Sequence, residues 1–272
     1  MNITILIHSS KTMRFVTPAA PVTEPLLIDR ARPLARYVQT LQPIQIQTTM
    51  GVSEVLSHRV HDVWAEWSVE SSQQSLAIDS FVGDIYSGLR ADTLSQQQRD
   101  YAQETLRILS GLYGILRPYD GVRPYRLEMG YKLPGSRYKN LYVYWGRSIA
   151  ETLPVEGLVI NLSAVEYTKT VLPYIDTTRV VAPRFLTKNP TTGELRQVIV
   201  HTKIARGAFA RWLIQNRVIF ANELVGFNEL NYHYEASLST PSEPVFVCED
   251  FGGIGLSMRL QKVERKRVER MG

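Results

Sequence analysis

Short apolar runs, each ending at polar or turn-forming residues, predict buried strands along the chain. The predicted strands are residues 3–7, 76–82, 158–162, 198–201 and 245–248. Residues 189–193 read Asn-Pro-Thr-Thr-Gly, a composition that predicts a hairpin-type turn between strands.

Apolar residues three and four positions apart predict helices between these runs. The predicted helices cover residues 34–41, 51–67, 94–116 and 204–217. Strands that alternate with helices indicate an α/β or mixed α+β fold. We therefore expect a single compact domain over residues 1–258, with a mixed sheet and surrounding helices, followed by a basic tail over residues 259–272.

Composition limits the classes of protein to consider. Cys248 is the only cysteine, so an intrachain disulfide and a cysteine-based zinc site are excluded. The first apolar run is too short for a signal peptide, and no stretch approaches the length of a membrane span. We expect a cytoplasmic protein with no membrane partner. The net charge of +5 favours an anionic partner only modestly.

Two glycines, Gly111 and Gly114, bracket a Leu-Tyr pair in the longest predicted helical region. Glycine permits a tight turn and the close approach of another chain. A helix that starts after such a turn directs free N–H groups toward a phosphate. The pattern predicts a helix-hairpin-helix-like element that binds DNA; a plain helix–helix turn is the alternative.

A basic, tyrosine-rich segment follows at residues 117–139. Arginines hold phosphates by bidentate contacts, and aromatic rings stack on exposed bases. This mixture suits a single strand or a distorted duplex. The alternative is a solvated basic face whose tyrosines lie half in the core.

Two further segments place polar residues at the ends of predicted elements. Residues 161–169 follow a buried strand, and α/β sheets place ligands at strand ends. There Glu166 and Lys169 form either a structural pair or a site in which Glu166 acts as a base. Lys203 and Arg206 share one face of a predicted helix whose other face is apolar, which would make a row of phosphate contacts.

Five ordered blocks of the sequence resemble the YaaA family. Residues 81–89, Phe-Val-Gly-Asp-Ile-Tyr-Ser-Gly-Leu, resemble its Phe-x-Gly-Asp-Val-Tyr-x-Gly-Leu block. The other blocks are residues 106–129, 161–169, 203–217 and 226–232. Four features depart from the family pattern. Ser163-Ala164 reverses the family's Ala-Ser pair, and residues 250–272 have no counterpart in it. His8-Ser9-Ser10-Lys11-Thr12 stands where the family has Ser-Pro-Ala-Lys-Thr, and Val82 stands where a lysine is common.

The resemblance implies a compact fold with a basic cleft and DNA binding through a helix-hairpin-helix-like element at residues 109–116. It also implies a role in surviving hydrogen peroxide, linked to limiting free intracellular iron. The first hypothesis is therefore a DNA-binding protein of the peroxide-stress response, acting on structured or distorted DNA. Its predicted DNA contacts are Arg107, Gly111, Tyr113, Gly114, Arg117, Arg123, Tyr125, Arg126, Lys203, Arg206 and Arg211.

The second hypothesis is an enzyme that acts on a nucleotide, a nucleobase or another small anion. Its candidate pocket residues are Lys11, Asp84, Glu166, Lys169, Lys203 and Arg206. A third hypothesis, iron binding, is disfavoured because the five histidines are scattered, and only His58 and His61 have helical spacing. We assign no metal ligands and no cofactor from the sequence.

Overall fold

The computed structural model describes residues 3–68 and 73–253. The strands are β1 Ile3–His8, β2 Thr12–Met13, β3 Ser75–Leu76, β4 Phe81–Val82, β5 Leu106–Ser110, β6 Gly114–Leu116, β7 Gly121–Val122, β8 Leu158–Asn161, β9 Val180–Val181, β10 Arg184–Lys188, β11 Leu195–Arg196, β12 Tyr232–Tyr234 and β13 Val245–Cys248. The α-helices are α1 Ile28–Gln39, α2 Pro43–Met50, α3 Glu54–Ala65, α4 Ala77–Ser80, α5 Asp84–Leu89, α6 Gln96–Thr105, α7 Leu141–Trp145, α8 Val165–Thr168 and α9 Ile199–Asn216.

The larger sheet has β1 at its centre, in the order β6-β5-β1-β8-β9. Strands β5, β1, β8 and β9 are parallel, and β6 pairs antiparallel with β5. Ile5 lies between Leu106 of β5 and Ile160 of β8. β1 reads as an almost unbroken apolar run because both faces of a parallel sheet are buried.

A second sheet of four strands has the order β11-β10-β13-β12. Its core is aromatic. Phe185 and Phe246 lie stacked on neighbouring strands with ring centroids 5.6 Å apart, and Phe209 of α9 packs on both. Helix α9 therefore packs on this sheet and also contacts β1, the central strand of the larger sheet.

A single hydrophobic cluster joins the residues of both sheets. This confirms the predicted mixed α/β fold in one compact domain. The predicted domain end at residue 258 and the tail 259–272 lie outside the described residues.

The predicted strands at residues 3–7, 158–162 and 245–248 and the helix at 51–67 correspond to β1, β8, β13 and α3. Two strand predictions were wrong. Residues 198–201 lead into α9 rather than forming a strand, and residues 76–82 divide into the end of β3, α4 and β4. Short apolar runs do not distinguish a buried strand from a buried helical turn.

The predicted helix-hairpin-helix-like element is wrong. The helix from residue 94 stops at Thr105, and the chain continues as the β5–β6 hairpin. Residues 108–116 are all buried. A Cβ atom built on Gly111 would lie 2.3 Å from the carbonyl oxygen of Leu127, and Gly114 has a φ of 71°. Both glycines serve packing and turn geometry, because the apolar run forms β5 and the outer strand β6 on one side of the larger sheet.

Candidate functional site

The order of the strands in the larger sheet creates a topological switch point, where the direction of strand addition reverses. The chain forms β1 first, adds β5 on one side of it, and then adds β8 on the other side. In open α/β sheets, ligands bind outside the carboxyl ends of the strands at such a reversal of strand order. The switch point here lies between the ends of β1 and β8, and we call the region outside these two strand ends the crevice.

His8 is the last residue of β1 and lies half-buried in this crevice. Its Nδ1 accepts a hydrogen bond from the Ala164 amide at 3.2 Å and lies 3.3 Å from the Ser163 hydroxyl oxygen. Its ring stacks on Tyr167 with centroids 4.8 Å apart. Because Nδ1 accepts, the proton of the neutral ring is assigned to Nε2, which then serves as a donor.

Burial, together with the smaller effects of the Arg206 and Lys203 charges, lowers the pKa of His8 to about 3. The imidazole is therefore neutral at physiological pH, with two cations from α9 close enough to affect it. Burial also lowers the pKa of Arg206. The buried Nε of Arg206 has no hydrogen-bond partner among the described residues, so it is available as a donor.

Buried hydroxyl groups lie beneath the crevice, toward the end of β5. Ser9 is buried and interacts with the hydroxyls of Tyr125 and Tyr167, while the Ser110 and Tyr125 hydroxyl oxygens lie 2.6 Å apart. Burial raises the pKa of both tyrosines. They remain protonated and can act as donors.

Two carboxylates flank the crevice. Lys11 forms an ion pair with Glu128 at 3.0 Å, and the Tyr131 hydroxyl donates to the same carboxylate. Glu166 accepts a hydrogen bond from the Gly130 amide at 2.7 Å. One of the two roles expected from the sequence was an ion pair between Glu166 and Lys169. In the structure, the Lys169 ammonium instead lies 5.9 Å from the centroid of the Tyr142 ring.

Glycines determine how closely α9 approaches the crevice. A Cβ atom on Gly207 would lie 1.8 Å from the Ile85 carbonyl oxygen, and one on Gly88 would lie 1.9 Å from the Ile204 carbonyl oxygen. The backbones of α5 and α9 are therefore in contact. This contact holds the first half of α9, with Lys203, against the end of β1.

The structure gathers most of the predicted pocket residues along this edge. Lys11, Glu166, Lys203 and Arg206 belong to the crevice or its rim, and Asp84 is the buried first residue of α5 beside α9. Lys169 lies farther out, over α7. We call His8, Ser9, Ser163, Ala164, Tyr167, Lys203 and Arg206 the switch-point site.

Sequence reasoning missed the central group of the site. His8 was noted as one of five scattered histidines and as part of a departure from the family pattern. Neither His8 nor Glu128 nor Tyr167 was given a role in the pocket. The available signal was the position of His8 directly after a buried apolar run, at the point where a parallel strand would end.

Several residues predicted to contact DNA are not on the surface. Gly111, Tyr113, Gly114 and Tyr125 are buried, so their assignment as DNA contacts was wrong.

Three predicted DNA contacts are occupied by partners within the protein. Arg107 donates to the carbonyl oxygens of Gln103 and Leu106, Arg117 pairs with Asp120, and Arg211 pairs with Glu229. The remaining residues, Arg123, Arg126, Lys203 and Arg206, keep solvent-accessible surface.

Two searches of the described residues bear on other functions. Residues 3–68 and 73–253 contain no group of three or more histidine, cysteine, aspartate or glutamate side chains arranged to hold a metal ion. No helix in the same part of the chain has the length and apolar character needed to cross a membrane.

The fold and site define a mixed α/β protein with a polar crevice at the switch point of a mainly parallel sheet. Residues 3–238 match the family model described as peroxide stress protein YaaA. The chain is also 54% identical over 256 residues to a UPF0246 protein of Salinispora tropica, covering 94% of this chain and 97% of that one. The chain belongs to the YaaA family of peroxide stress proteins.

Proposed function

We propose that this protein acts in the peroxide-stress response by binding a small anionic ligand, such as a phosphate- or carboxylate-bearing metabolite, at the switch-point site. The observation that carries the proposal is the environment of His8. A neutral imidazole, whose Nδ1 accepts a hydrogen bond from the Ala164 amide just before α8, lies beside two cations of α9.

The groups that face the crevice complement an anion. The Arg206 Nε–H has no acceptor within residues 3–68 and 73–253, the His8 Nε2–H is a further donor, and Lys203 adds an exposed positive charge. Glu128 and Glu166 are already engaged with Lys11 and the Gly130 amide, which reduces their repulsion of an incoming anion. The site therefore offers more positive charge than negative to a ligand.

The test is a titration of the protein with inorganic phosphate and with citrate, followed through the imidazole NMR signals of His8. We expect saturable shifts in the wild type and weakened binding in Lys203→Ala and Arg206→Ala. Lys188→Ala, which removes an ion pair with Glu249 on the other sheet, is the matched control. Unchanged affinity in both α9 variants would refute the site.

DNA binding is the second candidate function. It is supported by the net charge of +5 and by the solvent access of Arg123, Arg126, Lys203 and Arg206, and no longer by a helix-hairpin-helix-like element. DNA binding through these residues would weaken steeply as salt rises, because each phosphate contact releases counterions.

Gel shifts at low salt with duplex, single-stranded and branched DNA test this second candidate. Arg123→Ala combined with Arg126→Ala should weaken binding and flatten its salt dependence, and Lys188→Ala should not. A complex with none of the three DNAs would exclude it. Complementation of peroxide-sensitive cells then separates the two functions: a variant that loses protection but keeps DNA binding supports the small ligand.

A further inference from the structure

A cavity lies between α1 and residues 133–144, and none of its lining residues belongs to the switch-point site. Its volume is about 550 Å³, and α1 forms one wall while the segment leading into α7 forms the other. Small-molecule sites typically measure about 300–1,000 Å³ and are lined by aromatic side chains with a few polar groups. We call it the tyrosine cavity, after Tyr37, Tyr138 and Tyr144 in its lining.

The aromatic wall is preorganised. The rings of Tyr138 and Tyr144 meet edge to face with centroids 4.9 Å apart. The Tyr37 hydroxyl donates to the Pro134 carbonyl oxygen, which ties α1 to the opposite wall. A flat ligand would find ring surfaces already held in place, so binding would order few side chains.

The two arginines that line the cavity differ in their hydrogen bonding: Arg30 bonds within the protein, whereas Arg137 is exposed. Arg30 donates to the carbonyl oxygens of Tyr144 and Trp145 and to the Ser148 hydroxyl, and its guanidinium lies 5.1 Å from the centroid of the Tyr144 ring. The N–H groups of Arg30 thus bind the residues at the end of α7, which form one wall of the cavity. Arg30 is a structural residue of the cavity.

Arg137 is exposed at the mouth of the cavity. Its guanidinium lies 4.9 Å from the centroid of the Tyr138 ring, and one Nη donates to the Tyr138 hydroxyl at 3.0 Å. Within residues 3–68 and 73–253 it forms no ion pair, so most of its five N–H donors face solvent. A planar guanidinium presented in this way suits a phosphate, which it can hold by two parallel hydrogen bonds.

The charge of the lining favours an anion. Arg30 and Arg137 oppose a single carboxylate, Asp29, and that carboxylate pairs with Arg32 at 2.9 Å. An uncharged aromatic ligand would leave Arg137 without a partner, while a phosphate alone would leave the tyrosine rings uncovered.

We propose that the tyrosine cavity binds a nucleotide, with its base against the tyrosine rings and its phosphate on Arg137. A free mononucleotide and one unit of a single strand share this chemistry. Base–aromatic stacking tolerates any base, so the lining indicates little base selectivity. The site is separate from the switch-point site and stands whether or not that site binds an anion.

The experiment is calorimetric titration of the full chain with four probes: AMP, adenosine, ribose 5-phosphate and a ten-residue oligo-dT. We expect AMP to bind more tightly than either half alone. Arg137→Ala should weaken AMP about tenfold or more while leaving adenosine unchanged, since one charge-assisted contact is removed. Tyr138→Leu should weaken both AMP and adenosine.

Two controls keep the result specific. Arg147→Ala removes an exposed arginine that pairs with Glu151 beyond α7, and it should leave AMP binding unchanged. Lys203→Ala removes a cation of the switch-point site, so AMP binding that survives in Lys203→Ala and is lost in Arg137→Ala belongs to the tyrosine cavity. Failure of one proposal is therefore distinguished from failure of the other. Circular dichroism of each variant checks its fold.

The affinities for oligo-dT and AMP show whether the natural ligand is a single strand or a free nucleotide. Tighter binding of oligo-dT than of AMP, with loss in Arg137→Ala, identifies a strand as the natural ligand; binding of AMP alone identifies a free nucleotide. The proposal is overturned if neither AMP nor oligo-dT binds at millimolar concentration, or if Arg137→Ala and Tyr138→Leu bind both as the wild type does.

Discussion

The two neighbours of β1 end in contrasting surroundings. On one side, β5 turns back within three residues into β6, and Tyr113 and Tyr125 fill the space above the strand ends. On the other side, the chain leaves β8 at Asn161, the Ala164 amide donates to His8, and α8 begins, in which Glu166 is half-buried. The end of β5 is therefore packed into the hydrophobic core, whereas the end of β8 borders the crevice.

The contrast shows which sequence signals indicate function in this protein. Paired glycines looked like a DNA-binding turn, yet Gly111 and Gly114 are needed because buried neighbours leave no room for a side chain. The polar residues after β1 and β8 looked less specific, but the parallel pairing of those strands brings them to one place. Four experiments test this difference between the two sides of β1.

The largest effect is expected from Gly111→Ala, which should destabilise the fold by about 3 kcal/mol because the added methyl meets the Leu127 backbone. Chemical denaturation measures it. Gly226→Ala is the control, since its Cβ would make only an ordinary contact with Trp212 at 3.5 Å. A variant as stable as the wild type would mean that the β5 side is less tightly packed than described. A DNA-contacting turn would show the reverse: weak binding with intact stability.

The next effect concerns pH and His8. The pKa of His8 is near 3 in the folded protein against an ordinary value of 6.5, so only the unfolded chain binds this proton between those values. Stability from this group is complete above pH 6.5 and is lost as the pH falls toward 3. The slope approaches about 1.4 kcal/mol per pH unit within that window.

His8→Gln should flatten this part of the stability profile, measured by denaturation at pH 6.5, 5.5 and 4.5. Glutamine can still accept from the Ala164 amide but does not titrate in this range. His58→Gln, at an exposed position of α3, is the control. An equally steep profile in His8→Gln would show that other groups cause the pH dependence.

Lys203→Ala is expected to raise the pKa of His8, since it removes one of the two charges that disfavour the imidazolium. It should also weaken anion binding by up to about fivefold, the range for an exposed charge contact. NMR titration of His8 measures both quantities. A pKa of His8 that stays unchanged would place Lys203 too far from the crevice to take part.

The smallest effect is expected from Lys11→Ala. Its ion pair with Glu128 joins a side chain that is 54% exposed to one that is 19% exposed, so the loss in stability should be below about 1 kcal/mol. Thermal or chemical denaturation is sufficient. A loss of several kcal/mol would show that the pair supports the crevice rather than only bordering it.

Local sequence pattern was enough to predict the elements that are buried on both faces or along a single face. β1 and β8 are apolar on both faces, and α3 has one apolar face, so their periodicity indicated them directly. The same reasoning failed at residues 106–116 because a continuous apolar run fits a buried helix and a buried strand equally well. The difference is decided by pairing with β1, which is distant in sequence.

By itself, the sequence determined the α/β class, the family and the presence of polar residues after buried strands, because these depend on composition, order and short-range pattern. Only the tertiary structure decided which of those residues meet. His8 becomes a neutral donor because β8 and α9 enclose it, and Lys203 reaches it because Gly88 and Gly207 let two helix backbones touch. Burial and distance between remote segments set these properties, and neither is encoded in any local stretch of residues.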